Sequence, residues 1–316
     1  MSTSDSSFKE VSLEKALFPV ELRPVWVPME RGNLEEISRY QAVVDVNQRH
    51  VFSVVANDYK LVHNREAVEL GRQCFGAVFQ LTSPDAIKPY NIVMPKTRSF
   101  CHIDFIHPDA SFDFYDEDPW TPFLRVTNSY NRTFALNFDL GFCRGICKNG
   151  LIAGKQSIEF KYTHSKSSGR DPKGEFAVRS GEFANLEADF IDSLHNLKRY
   201  HVPPEFMWPL LCKVFRVTIP DWETLTPQQE MLWEKKLNAV TALRDDYFAK
   251  LGQNGYAALN VMTDYASRPT VEISAEQRIN ALQTYSGEWV TDFVSQIQHR
   301  EFDFRDYLGK YAALAA

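Results

Sequence analysis

The sequence predicts an α+β protein with a largely antiparallel β-sheet core over about residues 40–164 and a C-terminal helical lobe packed on it. Two observations lead to this fold class. The first half of the chain alternates apolar and polar side chains with the period of two that strands show, whereas the second half has the longer period of amphipathic helices. Strands followed by helices along a chain are typical of α+β proteins.

The first 80 residues predict an extended start, a hairpin and one helix. Residues 1–20 are polar and are expected to form a flexible N-terminus. Two β-branched runs on either side of the polar turn Asn47–His50 predict a hairpin over residues 41–59. The segment HNREAVELGRQCF, residues 63–75, then predicts a helix with Asn64 as its N-cap.

The clearest strand pattern lies in TPFLRVTNSYNRTFALNFDLGF, residues 121–142, which predicts a second hairpin. Five apolar residues of its return strand share one face: Phe134, Leu136, Phe138, Leu140 and Phe142. Polar residues such as Asn137 and Asp139 share the other face, so we expect one buried face and one polar face. Beyond this strand we expect a short helix that carries Cys143 and Cys147.

The remaining strands and helices follow from similar patterns. NIVMPKTRSFCHIDFIH predicts two strands with a break near Pro95, and QSIEFKYTH, residues 156–164, predicts another. A long helix is expected to begin with Thr226 as N-cap and Gln229 completing a capping box, and to end at Gly252. The expected organisation is a flexible segment over 1–20, a mainly β core with one early helix over 21–180, and a helical lobe over 181–316.

Composition and charge limit the classes of function. The chain has 316 residues, 44% hydrophobic and 24% charged, as in an ordinary globular protein. Its net charge of −6 gives no general attraction to phosphate backbones, so any contact with nucleic acid requires a local basic patch. An odd number of cysteines, five, and the absence of a secretory pattern or a long apolar run predict a reduced, cytoplasmic protein that does not associate with membranes.

Three segments, taken in order, resemble a family of phage- and plasmid-encoded proteins, the domain of unknown function 932. The first carries Tyr59, Lys60, Val62 and Asn64. The second carries Asn128, Ser129, Arg144, Cys147 and Asn149. The third carries Asn260, Thr263 and Tyr265. The resemblance spans roughly residues 40–270. It implies a mobile genetic element as the context of the protein, and it supplies no catalytic residues.

A basic region between residues 141 and 179 is the main candidate for a binding site. It has eight basic and three acidic residues, a net charge of +5 that leaves about −11 for the rest of the chain. Its candidate nucleic-acid-binding residues are Arg144, Lys148, Lys155, Lys161, Lys166, Arg170 and Lys173. Such charge segregation indicates a polyanion ligand. The alternative is a solvated basic edge that discourages pairing with other strands.

A second candidate lies in CHIDFIHPD, residues 101–109. On a strand whose Cys101 and Ile103 face the core, His102 and Asp104 share the outer, exposed face. Together with His107 and Asp109 they could bind a divalent metal or act in acid–base chemistry. The plainer interpretation is an exposed pair on a solvated sheet face.

The cysteine pair and the missing motifs favour a binding protein over an enzyme. Cys143 and Cys147 have a spacing that zinc sites use, but no second ligand pair lies nearby, so we expect them to pack a strand–helix junction. No Walker loop, dinucleotide-binding motif or hydrolase motif is present in the sequence. We therefore assign no catalytic residues and expect no cofactor, with a divalent metal as the open alternative.

The leading hypothesis is a non-enzymatic nucleic-acid-binding protein of a phage or plasmid, with single-stranded DNA as the favoured ligand in binding or annealing. One alternative is a protein-interaction module that contacts a host protein in phage–host conflict through its acidic surface. Another is a metal-dependent hydrolase. Homo-oligomers are compatible with all three.

Overall fold

The computed structural model describes residues 10–115, 118–145, 149–152, 159–162, 180–268 and 275–315. These residues form an α+β fold, as the sequence predicts. Its strands are β1 (Val20–Pro28), β2 (Leu34–Asp45), β3 (His50–Ala56), β4 (Lys88–Val93), β5 (Phe100–Ile106), β6 (Phe112–Asp113), β7 (Pro119–Ser129), β8 (Leu136–Arg144), β9 (Asn149–Ile152) and β10 (Glu159–Tyr162). Its helices are α1 (Asn64–Val78), α2 (Ser180–Arg199), α3 (Met207–Val214), α4 (Pro227–Leu251), α5 (Gly255–Ser267), α6 (Ala275–Ile297) and α7 (Phe304–Leu308).

The chain divides into two compact units whose boundaries interrupt the sequence several times. Unit 1 comprises Met1–Phe112, Thr121–Leu140 and Ile158–Phe183. Unit 2 comprises Asp113–Trp120, Gly141–Ser157 and Ala184–Ala316. Two short stretches from the first half of the chain therefore belong with the C-terminal helices.

The strands form two antiparallel sheets. The smaller sheet has the order β1-β2-β3, and its pairing confirms the hairpin predicted over residues 41–59. The larger sheet follows the path β10-β8-β7-β5-β4, with β6 paired to β7 and β9 paired to β8. The predicted break near Pro95 and the second predicted hairpin are confirmed, because β4 pairs with β5 and β7 neighbours β8.

The N-cap of helix α1 lies one residue earlier than predicted. Its N-cap is His63, whose backbone N–H donates to the Glu66 carboxylate at 3.1 Å. The expectation that Asn64 caps the helix is wrong, because its side chain is buried and donates instead to the backbone carbonyl of Ala16 at 2.8 Å. The Asn64 side chain, which the local sequence predicts as the N-cap, therefore makes its hydrogen bond to a residue distant in sequence.

In the central strands β5, β7 and β8 of the larger sheet both faces are buried, which corrects the prediction of one solvent-facing side. Every residue of β5 is buried, and so are Thr127 on β7 and Asp139 on β8. The polar face remains polar, but its side chains pair with one another instead of with water. The alternation of apolar and polar residues therefore predicted correctly which residues share each face. It was wrong in predicting that the polar face is exposed to solvent.

The stretch after Cys143 is a strand hairpin and not the short helix that we expected. Strand β8 continues through Arg144, and β9 pairs back onto it, with Gly141 opposite Ile152 and Arg144 opposite Asn149. Cys143 lies buried within β8, whereas Cys147 lies outside the described residues. Strand β9 has only four residues, too few for a periodic signal, so its pairing with β8 decides its conformation.

Within unit 2 the helices pack against strand residues. Helices α5 and α6 contact β9, and the Phe142 ring stacks on Phe190 of α2 with centroids 4.2 Å apart. The predicted capping box of α4 is confirmed, since Gln229 accepts a hydrogen bond from the backbone N–H of Thr226 at 2.9 Å. In the part of the chain that the structure describes, no helix combines the length and apolarity needed to cross a bilayer.

Candidate functional site

The structure describes only part of the basic region. Lys161 lies on β10, opposite Asn137 of β8, and β10 ends the path of the larger sheet. Five of the candidate binding residues lie outside the described residues: Lys148, Lys155, Lys166, Arg170 and Lys173. Of the candidate nucleic-acid-binding residues, only Arg144 has its side-chain surroundings described.

Arg144 is buried in unit 2, with 7% of its surface exposed. Its Nε donates to Oδ1 of Asp118, and its Nη1 donates to Oδ1 of Asn260 at 3.0 Å. The second carboxylate oxygen of Asp118 accepts from the Tyr256 hydroxyl. In this arrangement the guanidinium is buried in an internal ion pair.

The hydrogen bonds around Asp118 continue into the helices of unit 2. The Trp120 indole donates to the Tyr256 hydroxyl at 3.0 Å, and the Asn260 side-chain amide donates to the Tyr256 carbonyl at 2.8 Å. Burial, followed by the charge of Asp118, raises the pKa of Tyr256, so the phenol stays protonated as a donor. Such a closed buried network stabilises one arrangement of helix α5 and the strand ends.

Two of the motif residues behind the family resemblance, Arg144 and Asn260, are therefore direct partners although they lie far apart in sequence. A second pair of motif residues meets in unit 1. There the Asn128 amide donates to Oδ1 of Asn64 at 2.9 Å and to the carbonyl of Val62 at 3.0 Å. Each pair ties a strand to a helix, β8 to α5 in the first and β7 to α1 in the second, which gives these motif residues a structural role.

His102 and Asp104 lie on the polar face of β5, as predicted, but each is only 1% exposed. The Asp104 carboxylate accepts from Nε of Arg125 at 2.6 Å and from its Nη2 at 2.7 Å, and it also accepts from Asn91 at 2.9 Å. The expectation of an exposed pair is wrong, because an arginine on the neighbouring strand neutralises the carboxylate inside the sheet.

The His102 ring is held as a neutral imidazole. Its Nδ1 shares a hydrogen bond of 2.8 Å with the Thr127 hydroxyl, and its Nε2 has no hydrogen-bond partner among the described residues. Burial, followed by the charge of Arg125, lowers the pKa of His102 to about 3. The ring is therefore uncharged near neutral pH and does not act as an acid there.

The other two candidate metal ligands do not join this pair. His107 precedes a short 3₁₀ turn and packs edge-on against Phe79 with centroids 5.0 Å apart, while Asp109 is exposed. Among the described residues, no group of three or more His, Cys, Asp or Glu side chains is arranged to hold a metal ion.

Unit 2 contains a cavity of about 550 Å³ that the sequence does not predict. It lies between α3, the segment that follows α3, and helices α4, α5 and α6. Its wall contains the aromatic residues Trp208, Phe215, Trp233, Tyr265 and Tyr285. Two basic residues, Arg216 and Lys236, also line it. No local sequence motif indicates this cavity, because its lining residues come from five separate stretches of the chain.

Comparison with known proteins gives one match. The profile of the family described as "Domain of unknown function (DUF932)" matches residues 51–284. No curated protein and no solved structure matches the chain. The matched range contains all three motif segments and both clusters of motif residues described above.

Proposed function

Because the chain belongs to the DUF932 family, whose description assigns no activity, we propose from the residues themselves that it is a non-enzymatic nucleic-acid-binding protein of a mobile genetic element. Single-stranded DNA is the favoured ligand. Binding or annealing of a strand in the replication or recombination of a phage or plasmid is the corresponding role.

The charge of residues 145–179 carries this proposal. Asp118 neutralises Arg144, so Arg144 is removed from the set of candidate contacts. The stretch that remains has seven basic and three acidic residues, a net charge of +4 in a chain of −6. A concentration of basic residues against an acidic background is what a polyanion-binding surface requires.

Strand β10 adds a second supporting observation. It neighbours β8 and, among the described residues, no strand on its other side, and it carries Lys161. The other candidate lysines of the stretch lie before and after β10 in the sequence. A lysine on an edge strand discourages pairing with another protein chain, and the same charge attracts a phosphate backbone.

The hydrolase alternative gains no support from the described residues. Asp104 is bound to Arg125, and His102 is buried as a neutral ring. A catalytic metal needs about three protein ligands and keeps one of its own positions open, and among the described residues no group of three potential ligands is arranged to hold it.

Fluorescence anisotropy with labelled oligo(dT) across a salt series tests the proposal. We expect wild-type affinity to fall as salt rises, since each phosphate contact releases counterions. The test variant removes three charges from the basic region: Lys155→Gln, Lys166→Gln and Lys173→Gln. For a single strand we expect it to reduce the slope of log K against log salt by about 2.

The matched control removes the same net charge from exposed lysines elsewhere: Lys15→Gln, Lys96→Gln and Lys235→Gln. We expect this control to keep the wild-type slope, because its lysines lie outside the basic region. Equal slopes for the two triple variants, or no binding by the wild-type protein at low salt, would contradict the proposal.

A further inference from the structure

The cavity of unit 2 has the chemistry of a binding site for an organic anion with a flat aromatic body. Its volume of about 550 Å³ lies within the range of small-molecule sites. Among the described residues that line it, two are basic and none is acidic. The chain as a whole has a net charge of −6, so two basic side chains in the wall of the cavity favour a negatively charged ligand there.

Its wall is unusually aromatic for a cavity among helices. Phe215 and Tyr265 stack with an interplanar angle of 22° and centroids 5.8 Å apart. Trp208 and Trp233 form a further part of the wall, edge to face at 5.2 Å. Aromatic walls bind nucleobases by stacking, and they do so for every base because every base has a π-face.

Arg216 stands at the cavity with a backbone conformation that usually belongs to glycine. Its φ is +54°, and it follows directly on the last turn of α3. Glycine is the favoured residue at such a left-handed position after a helix. The arginine found there extends its guanidinium over the Tyr285 ring at 4.2 Å and contacts Glu288 at 3.2 Å. With 65% of its side chain exposed, it can still reach a phosphate.

We propose that this cavity binds a nucleoside monophosphate, either free or as one nucleotide of a single strand, with the base against the aromatic wall and the phosphate held by Arg216 and Lys236. The strand form rests on the function proposed above, whereas the free form does not. A guanidinium and an ammonium group are the two side-chain cations that proteins use for phosphate.

Calorimetric titration of the full chain with dTMP tests this inference. We expect binding that thymidine and inorganic phosphate each reproduce only weakly, because each supplies half of the contacts. Lys236→Gln should lower the affinity for dTMP about tenfold, the usual effect of losing one charge-assisted hydrogen bond. Lys235→Gln is the matched control: it is the preceding residue on α4, is exposed and does not line the cavity, so its affinity should equal the wild type.

Arg216→Gly separates binding from stability. It removes the guanidinium and relieves the left-handed backbone, so we expect about tenfold weaker binding of dTMP together with an unchanged or higher melting temperature. A residue with a purely structural role would lower the melting temperature instead. Binding of dTMP by Lys236→Gln and Arg216→Gly at wild-type affinity would overturn the proposal, as would equal affinity for decanoate, which has the charge without the base.

The source of the nucleotide is decided by repeating the variants with oligo(dT). Weaker strand binding by Lys236→Gln, compared with Lys235→Gln, assigns the cavity to one nucleotide of a strand. Binding of dTMP without any binding of oligo(dT) assigns it to the free nucleotide and contradicts the nucleic-acid function while leaving the cavity site in place. Failure of wild-type protein to bind dTMP contradicts the cavity site alone.

Discussion

The ion pair between Asp104 and Arg125 is buried deeply enough that removing one partner should have a large effect. Both side chains are 1% exposed. Asp104→Asn keeps the shape of the carboxylate but leaves the guanidinium without a counter-charge. Burial alone would lower the pKa of Arg125, and the charge and hydrogen bonds of Asp104 outweigh this and raise it. In the variant the raising influence of Asp104 is lost, but a guanidinium is effectively always protonated in proteins, so Arg125 remains charged inside the sheet.

The expected cost follows from the contacts. Two hydrogen bonds from the guanidinium, at 2.6 and 2.7 Å, lose their ionic acceptor. Hydrogen bonds to charged groups contribute about 1.5–3 kcal/mol each, and breaking a buried pair from one side costs about 3–5 kcal/mol. We expect Asp104→Asn to lower the free energy of unfolding by about 3–5 kcal/mol.

Urea unfolding followed by circular dichroism measures this loss. Asp246→Asn is the matched control, since it breaks an ion pair of 2.7 Å with Lys250 in which both side chains are exposed. We expect it to cost less than about 1 kcal/mol. The double variant Asp104→Leu with Arg125→Met should be more stable than Asp104→Leu alone, because it removes the unpaired charge. A loss below about 1 kcal/mol for Asp104→Asn, or a double variant no more stable than Asp104→Leu alone, would contradict this account of the ion pair.

Two further predictions concern unit 1. The unfolded chain binds a proton at His102 below pH 6.5, whereas the folded chain, with a pKa of about 3, does not. The contribution of the neutral His102 to the free energy of unfolding is therefore fully present above pH 6.5, and it is lost as the pH decreases towards 3. His102→Asn should remove about 2 kcal/mol of the stability difference between about pH 7.5 and about pH 5, measured by urea unfolding at both values; an unchanged difference would show that another group titrates. On helix α1, Gly71→Ala should destabilise the fold by about 1–3 kcal/mol, because the new Cβ would lie 2.4 Å from Cγ2 of Val126. Gly76→Ala on the same helix meets no atom closer than 3.8 Å and should stabilise it by about 0.5–1 kcal/mol, so a thermal melt that ranks the two variants the other way contradicts the packing argument.

Local patterns predicted much of the fold correctly. Alternation over residues 121–142 located the β7–β8 hairpin, and the Thr226–Gln229 spacing located the start of α4. Both signals depend on residues within one or two turns or along one strand, so they can be read without knowledge of the partner elements.

The errors at Asn64, at β9 and at the His102 face share one cause. Asn64 bonds to Ala16 and Asn128, residues distant in sequence, and this contact overrides its preference for the cap. Strand β9 is too short to show a periodic pattern, and its conformation depends on its pairing with β8. Polar alternation predicted solvent beside His102 where the structure has buried polar neighbours.

Four features follow from the amino-acid sequence without the structure: the fold class, the strand and helix periods, the segregation of basic residues into 141–179 and the three motif segments of the family. Those features reside in single stretches of chain and in composition. Folding adds two features that no single stretch shows: Arg144 belongs to an internal network with Asp118 and Asn260, and five separate stretches line a cavity with aromatic walls and two cations. The physical reason is that burial and pairing depend on strand register and helix packing, which bring together residues whose local sequences carry no information about one another.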